Sequence, residues 1–221
     1  VLRGPASVLY GSNAMGGVVN IVTRGMREDG VKTYADIGYG SYNTLQTEAT
    51  NRIRKGRFTS VVSGSHNRTD GHRADMGFEQ YGGYAKLGYE ISQAWNVRAD
   101  VNVTHFNASQ PGTVTNPMAD ADQRITRGMT SLSVENNYGR TSGALSLFYN
   151  WGRHRINDGY TVDPNDTNNP KDYRFNSRDD MMGVSWYQSA RLFRGNRLTV
   201  GADYYRFGGE AWNRYVGGDR K

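Results

Sequence analysis

After Val31 the chain alternates apolar and polar residues in run after run, with no helical period among them, and this restricts its fold more than any other feature. The run 31–39 puts Val31, Thr33, Ala35, Ile37 and Tyr39 on one face and Lys32, Tyr34, Asp36 and Gly38 on the other. Gly40, Ser41, Tyr42 and Asn43 then supply a tight turn. The pattern is cleanest at 95–105, where Trp95, Val97, Ala99, Val101 and Val103 interleave with Asn96, Arg98, Asp100, Asn102 and Thr104. Comparable runs at 45–53, 58–66, 81–91, 130–138, 143–153, 181–192 and 197–207 bring the expected count to about nine strands, each near the ~10 residues of a tilted membrane strand.

The links between runs alternate in length. Short ones are expected at 55–57, 92–94, 139–141 and 194–196, and longer polar loops at 67–80, 108–127 and 157–178. Short turns on one side and long loops on the other are the pattern of a bacterial outer-membrane barrel. Tyr39, Tyr89, Trp95, Tyr138, Phe148, Tyr149, Trp151, Phe193 and Tyr204 fall mostly near run ends, where aromatic girdles sit at the two membrane interfaces. Aromatic residues are also good strand formers, so each one alone fits either account.

Composition agrees with a membrane barrel. Only 36% of the 221 residues are hydrophobic and mean hydropathy is −0.75, so a large conventional apolar core is not expected. Disorder is argued against by 15 Tyr, 7 Phe and 4 Trp. No run approaches the ~20 apolar residues of a membrane helix, a test that barrels escape because only alternate residues face lipid. There is no cysteine, so disulfides play no part. The net charge of +6 is scattered and no nucleic-acid reading motif occurs, so nucleic acid is not an expected partner.

The first 23 residues, VLRGPASVLYGSNAMGGVVNIVT, are different in kind. Pro5 suits the start of a short helical turn, Gly11 stops it, and Gly16-Gly17 turns the chain into a strand at 18–22 that is apolar on nearly every residue. Such a strand calls for burial on both faces. Gly11 and Gly16 do not make a phosphate loop, because Gly17 and Val18 stand where Lys and Ser/Thr are needed. The segment resembles the end of the plug domain of TonB-dependent outer-membrane receptors. The resemblance runs through Arg3-Gly4-Pro5, Tyr10-Gly11, Ala14, Gly16-Gly17-Val18-Val19-Asn20-Ile21 and Thr23.

The resemblance implies an all-β fold: a fragment of an antiparallel transmembrane β-barrel, about nine strands of a plugged barrel of about 22, preceded by the C-terminal piece of the plug. Residues 1–24 would be plug, 25–30 linker and 31–221 the N-terminal part of the barrel. It further implies a location in the outer membrane of a Gram-negative bacterium and energy-coupled import of a scarce bulky nutrient such as an iron chelate, haem or cobalamin. Expected partners are TonB, through a segment outside this chain, the extracellular chelate or vitamin, and outer-membrane lipid. Arg3, Gly4, Pro5, Tyr10, Gly11, Gly16, Gly17 and Asn20 would form the plug motif and its contacts with the barrel. Arg3 would pair with wall carboxylates such as Glu48, Asp100 or Glu135, either as a latch or as a static ion pair. A chain lacking most of plug and barrel is expected to transport nothing on its own.

Ligand contact is expected in the long loops, at His66, Arg68, His72 and Arg73 in one and Tyr160, Asp163, Asp166, Tyr173 and Arg174 in another, where arginines suit anionic chelates and aromatics stack on flat ligands. Ordinary solvated loop surface is the plainer account of each. The run 163–169 offers oxygen ligands but lacks the spacing, turn glycine and closing Glu of a calcium loop. No metal site and no cofactor are expected. An enzyme is not expected either: the four histidines match no metal-protease spacing and no GxSxG elbow occurs. The alternatives are a soluble, lectin-like β-sandwich and a plugless outer-membrane pore.

Overall fold

A computed structural model describes residues 2–3, 17–18, 26–161 and 173–215. Two short strands near the N-terminus, β1 (Leu2–Arg3) and β2 (Gly17–Val18), pair antiparallel, with Leu2 opposite Val18 and Arg3 opposite Gly17. Nine strands follow in a single meander: β3 (Gly30–Gly40), β4 (Thr44–Lys55), β5 (Phe58–Thr69), β6 (Phe78–Glu90), β7 (Trp95–Ser109), β8 (Met118–Asn137), β9 (Thr141–Thr161), β10 (Tyr173–Ala190) and β11 (Leu198–Tyr215). Each pairs antiparallel with its chain neighbour, so spatial order equals sequence order. All nine expected strands are present.

The loops are where expectation and structure part. The strands bounding the long side run on through residues read as loop, leaving connections at 41–43, 70–77 and 110–117 on that side. β8 starts twelve residues before the expected Thr130, at Met118, and β10 starts at Tyr173 instead of Met181. The physical reason is that polar side chains mark exit from an apolar surrounding, whereas the ladder is held by backbone hydrogen bonds and continues in water. On the short side the links lie at 56–57, 91–94, 138–140 and 191–197. Gly56 takes the left-handed conformation (φ 55) that the tightest of these needs, and its N–H donates to both carboxylate oxygens of Asp29 at 3.0 Å.

Register gives the sheet two faces of opposite chemistry. Directly opposite residues share a face, so the set beginning with Val31, Ile37 and Tyr39 continues through Leu45 and Ile53, Val62, Leu87, Val101, Leu132, Leu147, Val184 and Val200. The other face carries Glu48, Ser63, Lys86, Asp100, Ser131, Ser146, Ser185 and Asp203. Ala144 is the only apolar side chain buried among the described residues, while Val31 and Ile37 are 63% and 77% exposed. A sheet with its apolar face uncovered and its polar face inside is a barrel wall turned toward lipid; a sandwich would bury the apolar set.

The height of the apolar band fits a membrane. On β9 the outward positions are Leu145, Leu147, Tyr149 and Trp151, bounded by Gly143 below and Arg153 above. Ten residues rising about 3.3 Å each, tilted by about 40°, cover roughly 25 Å along the membrane normal, the height of the apolar band in such barrels. At the lower edge the Trp95 indole N–H donates to the Tyr138 hydroxyl, with the rings edge to face at 6.2 Å. Phe148 departs from the girdle expectation: it points to the polar face and packs against Tyr205 at 5.7 Å. No helix among the described residues is long and apolar enough to cross a membrane, which says nothing against a barrel.

Candidate functional site

The polar face carries its charges in two tiers. The lower tier lies near the short turns. Arg54 on β4 donates to Glu90 at the end of β6 at 2.6 Å and approaches Asp29 at 3.9 Å. Arg98 on β7 pairs with Glu135 on β8, and Asp100 accepts a hydrogen bond from the Ser131 hydroxyl at 2.6 Å. Among the carboxylates expected to meet Arg3, Glu135 is therefore held by Arg98, Asp100 by Ser131, and Glu48 accepts from the Thr50 hydroxyl at 3.2 Å. All three lie on the polar face, as period two implied.

The upper tier is a compact cluster from three adjacent strands. Arg127 on β8 spans β9 to grip Asp179 on β10 with both terminal nitrogens, at 2.8 and 3.3 Å. Gly152 on β9 lies beneath this bridge: a Cβ there would fall 2.6 Å from the Asp179 carboxylate and 2.7 Å from the Arg127 guanidinium. His154 closes the group, its Nε2 3.1 Å from Arg127 and its Nδ1 2.9 Å from the Ser177 hydroxyl. A guanidinium fork on a carboxylate fixes both planes. The cluster thus presents a partly exposed cation, anion and imidazole in fixed positions on the upper polar wall.

Sequence reasoning missed this cluster for a specific reason. Arg127 fell at the end of an expected loop, His154 just after an expected strand, and Asp179 just before another. Extending the alternation by one to three residues past each run would have placed all three on one face; their adjacency needed the register between strands.

The residues expected to contact ligand are dispersed. His66 and Arg68 are not on a loop: they lie on β5, on the outward face above the apolar band. His66 stacks on Tyr81 at 4.6 Å, and its Nε2 lies 2.9 Å from Glu79, which also accepts the Tyr81 hydroxyl at 2.6 Å. His72 and Arg73 do lie on a loop. His72 meets Tyr42 edge to face at 6.4 Å, and Arg73 donates to the Gly112 carbonyl at 2.6 Å, tying the connection 70–77 to the connection 110–117. Tyr160 pairs with Ala119 near the top of β9, Tyr173 opens β10, and Arg174 on β10 is bound to Asp120 at 3.0 Å, so these three stand on strands as well. Asp163 and Asp166 lie outside the described residues. So do Gly4, Pro5, Tyr10, Gly11, Gly16 and Asn20, whereas Arg3 and Gly17 face each other in the β1–β2 pair.

No protein-family model matches the chain. Its sequence is 30% identical over 108 residues to the vitamin B12 transporter BtuB of Vibrio vulnificus (strain YJ016), an alignment covering 44% of this chain and 17% of that protein. The fold is similar to that of the copper transporter OprC (TM-score 0.76, 16% identity, 96% of this chain and 33% of that one). It is also similar to the siderophore receptor PiuA from Acinetobacter baumannii (0.74, 10%, 96% and 35%) and to the ferric yersiniabactin uptake receptor FyuA from Yersinia pestis (0.71, 17%, 97% and 37%). The chain therefore spans about a sixth of the curated relative's length and about a third of each solved chain. The nine-strand meander with its apolar face uncovered thus has the fold of about a third of each of these solved chains.

Proposed function

We propose that the protein to which this wall belongs imports a scarce, bulky nutrient across the outer membrane, using energy delivered by TonB to a plug inside the barrel. The observation that carries the proposal is the two-tier charge pattern on the polar face. An open diffusion pore needs only a wet, charged lining; paired charges at two heights suit a wall that holds a plug below and meets cargo above. In this proposal residues 1–24 end the plug, 25–30 link it to the wall, and 31–221 belong to the barrel. Arg3 would seat the plug against the lower tier. His72, Arg73 and the upper-tier cluster of Arg127, His154 and Asp179 would face arriving ligand. The relatives by their names carry vitamin B12, copper or siderophores, so an iron chelate or cobalamin is the first cargo to test, and haem the next.

The test is uptake by the complete receptor in a Gram-negative host deprived of its own receptors. Labelled cobalamin, ferric siderophore and haem are offered separately, with and without a protonophore and in a strain lacking TonB. Saturable uptake of one of them that disappears under both treatments is the expected outcome. Uptake that survives both, or passage of unrelated small solutes at the same rate, would show a passive pore instead.

A further inference from the structure

Above the apolar band the outward face changes character between β8 and β11. Arg124, Arg153, Arg155, Arg178 and Arg206 all project from it. Register sets two pairs of these directly opposite each other: Arg124 faces Arg155, and Arg153 faces Arg178. Like charges in opposed positions destabilise a sheet. Among the described residues three carboxylates stand on this face beside them, and two are taken: Asp122 lies 3.3 Å from Arg124, and Glu210 3.0 Å from Arg178. The third, Asp180, is directed toward β11, where its carboxylate oxygen would lie 2.7 Å from a Cβ on Gly208. Arg153 and Arg155 are exposed and have no hydrogen bond or ion pair with any described residue. At the same height on the polar face, by contrast, Arg127 has a bidentate carboxylate of its own.

Directly below these arginines the same face holds a shallow apolar groove lined by Leu132, Leu147, Tyr149, Met182, Val184 and Tyr204. Tyr149 stands four residues under Arg153 on the same strand, about 13 Å at 3.3 Å per residue. A cationic pair above an apolar groove, at the boundary of a lipid-turned surface, matches an amphiphile with an anionic head. Guanidinium forks bind phosphate oxygens in pairs, and an anion between two opposed arginines removes the repulsion that register imposes.

We propose that Arg153 and Arg155, assisted by Arg124 and Arg178, bind the phosphate of a lipid headgroup in the outer leaflet, one of whose acyl chains lies in the groove beneath. The site occupies the outside of the wall and is independent of any cargo in the lumen. It faces the outer leaflet because the opposite end of the wall carries the short turns.

The complete receptor in nanodiscs, its fold verified by heat-modifiable gel mobility, is titrated with bis-phosphorylated lipid A, with the same lipid enzymatically dephosphorylated, and with inorganic phosphate alone. R153Q/R155Q is compared with R194Q, which removes one charge at the short-turn end, and the single variant R155Q serves if the double one does not fold. Expected are roughly thirtyfold weaker binding of the phosphorylated lipid by the double variant, from about fivefold per arginine near a charged membrane surface, and about fivefold for R155Q. R194Q should bind as the unaltered receptor does, and the dephosphorylated lipid should bind the unaltered receptor as weakly as the phosphorylated lipid binds the double variant. Equal binding by R153Q/R155Q and the unaltered receptor overturns the proposal. So does equal affinity for the two lipids, or displacement of the lipid by millimolar phosphate, which would mark a site for a soluble anion.

Discussion

Replacing Leu147 by arginine and, separately, Ser146 by arginine separates the two faces of the wall with neighbouring residues of one strand. Leu147 lies four residues above Gly143 and six below Arg153 on β9. At roughly 2.5 Å of height per tilted residue it sits about 10 Å from the lower edge of the apolar band and about 15 Å from the upper. That is within a few ångströms of the bilayer midplane, where an arginine on the lipid face costs about 2–4 kcal/mol. Ser146 points the other way, sharing a hydrogen bond with Ser133 at 3.0 Å on the polar face, and an arginine there reaches lumen water at about 1 kcal/mol or less. The measurement is denaturant-dependent folding of the complete barrel into lipid vesicles, followed by tryptophan fluorescence. Leu147→Arg should fall below the unaltered protein by at least twice the cost of Ser146→Arg. Equal costs would refute a lipid-turned apolar face, and a reversed order would mean that the faces have been assigned the wrong way round.

Three further outcomes follow from local geometry. Gly128→Ala should destabilise by about 1–3 kcal/mol, because the new methyl would overlap the Trp151 indole; Gly83→Ala on the same outward face, with nothing within 4 Å, is the control in the same folding assay. Gly56→Ala should cost about 1 kcal/mol from its left-handed backbone alone, since its Cβ would meet nothing, and should show as faster hydrogen exchange at the β4–β5 turn. Asp179→Asn should change stability by about 1 kcal/mol or less, because the pair with Arg127 is about half exposed. Its main effect should be on saturable cargo uptake; unchanged uptake and affinity would remove the upper cluster from the cargo path.

How much of this was legible depends on which physical rule wrote each feature. Strand number, face assignment and the meander are written by burial of alternate residues, so 95–103 could be read almost letter by letter. The top boundaries could not. Asp122, Arg124 and Thr126 look like loop because they are polar, yet they remain in β8, since water does not dissolve a ladder whose backbone groups are already paired. Even Asp120, which takes a left-handed backbone (φ 52), interrupts the pairing only locally: Ala119 again meets Tyr160, and Asp120 has its carbonyl bound by the Asn157 amide. The same misreading moved His66 and Arg68 from a strand to a loop and hid the cluster of Arg127, His154 and Asp179. His154 and Asp179 are 27 and 52 residues from Arg127 in sequence, and only the register brings them together.

The register also explains why one residue type does opposite things at one height of the wall. Arg127 and Arg153 lie one step apart on the ladder, with Arg127 opposite Gly152 and Thr126 opposite Arg153, yet they project to opposite faces. On the inner face a guanidinium reaches across a glycine to a carboxylate two strands away, and little net charge is left for the lumen to solvate. On the outer face the neighbour in the same reach is another arginine, and the nearest surface below is apolar. If the outer arginines were merely tolerated, the sheet would bear two opposed like-charge pairs for no return, beside a face where it avoids one. An anion supplied by the membrane removes that contrast, since the outer leaflet brings its own phosphate to the boundary where the apolar band ends. The wall then satisfies its cations from the protein on one side and from the bilayer on the other.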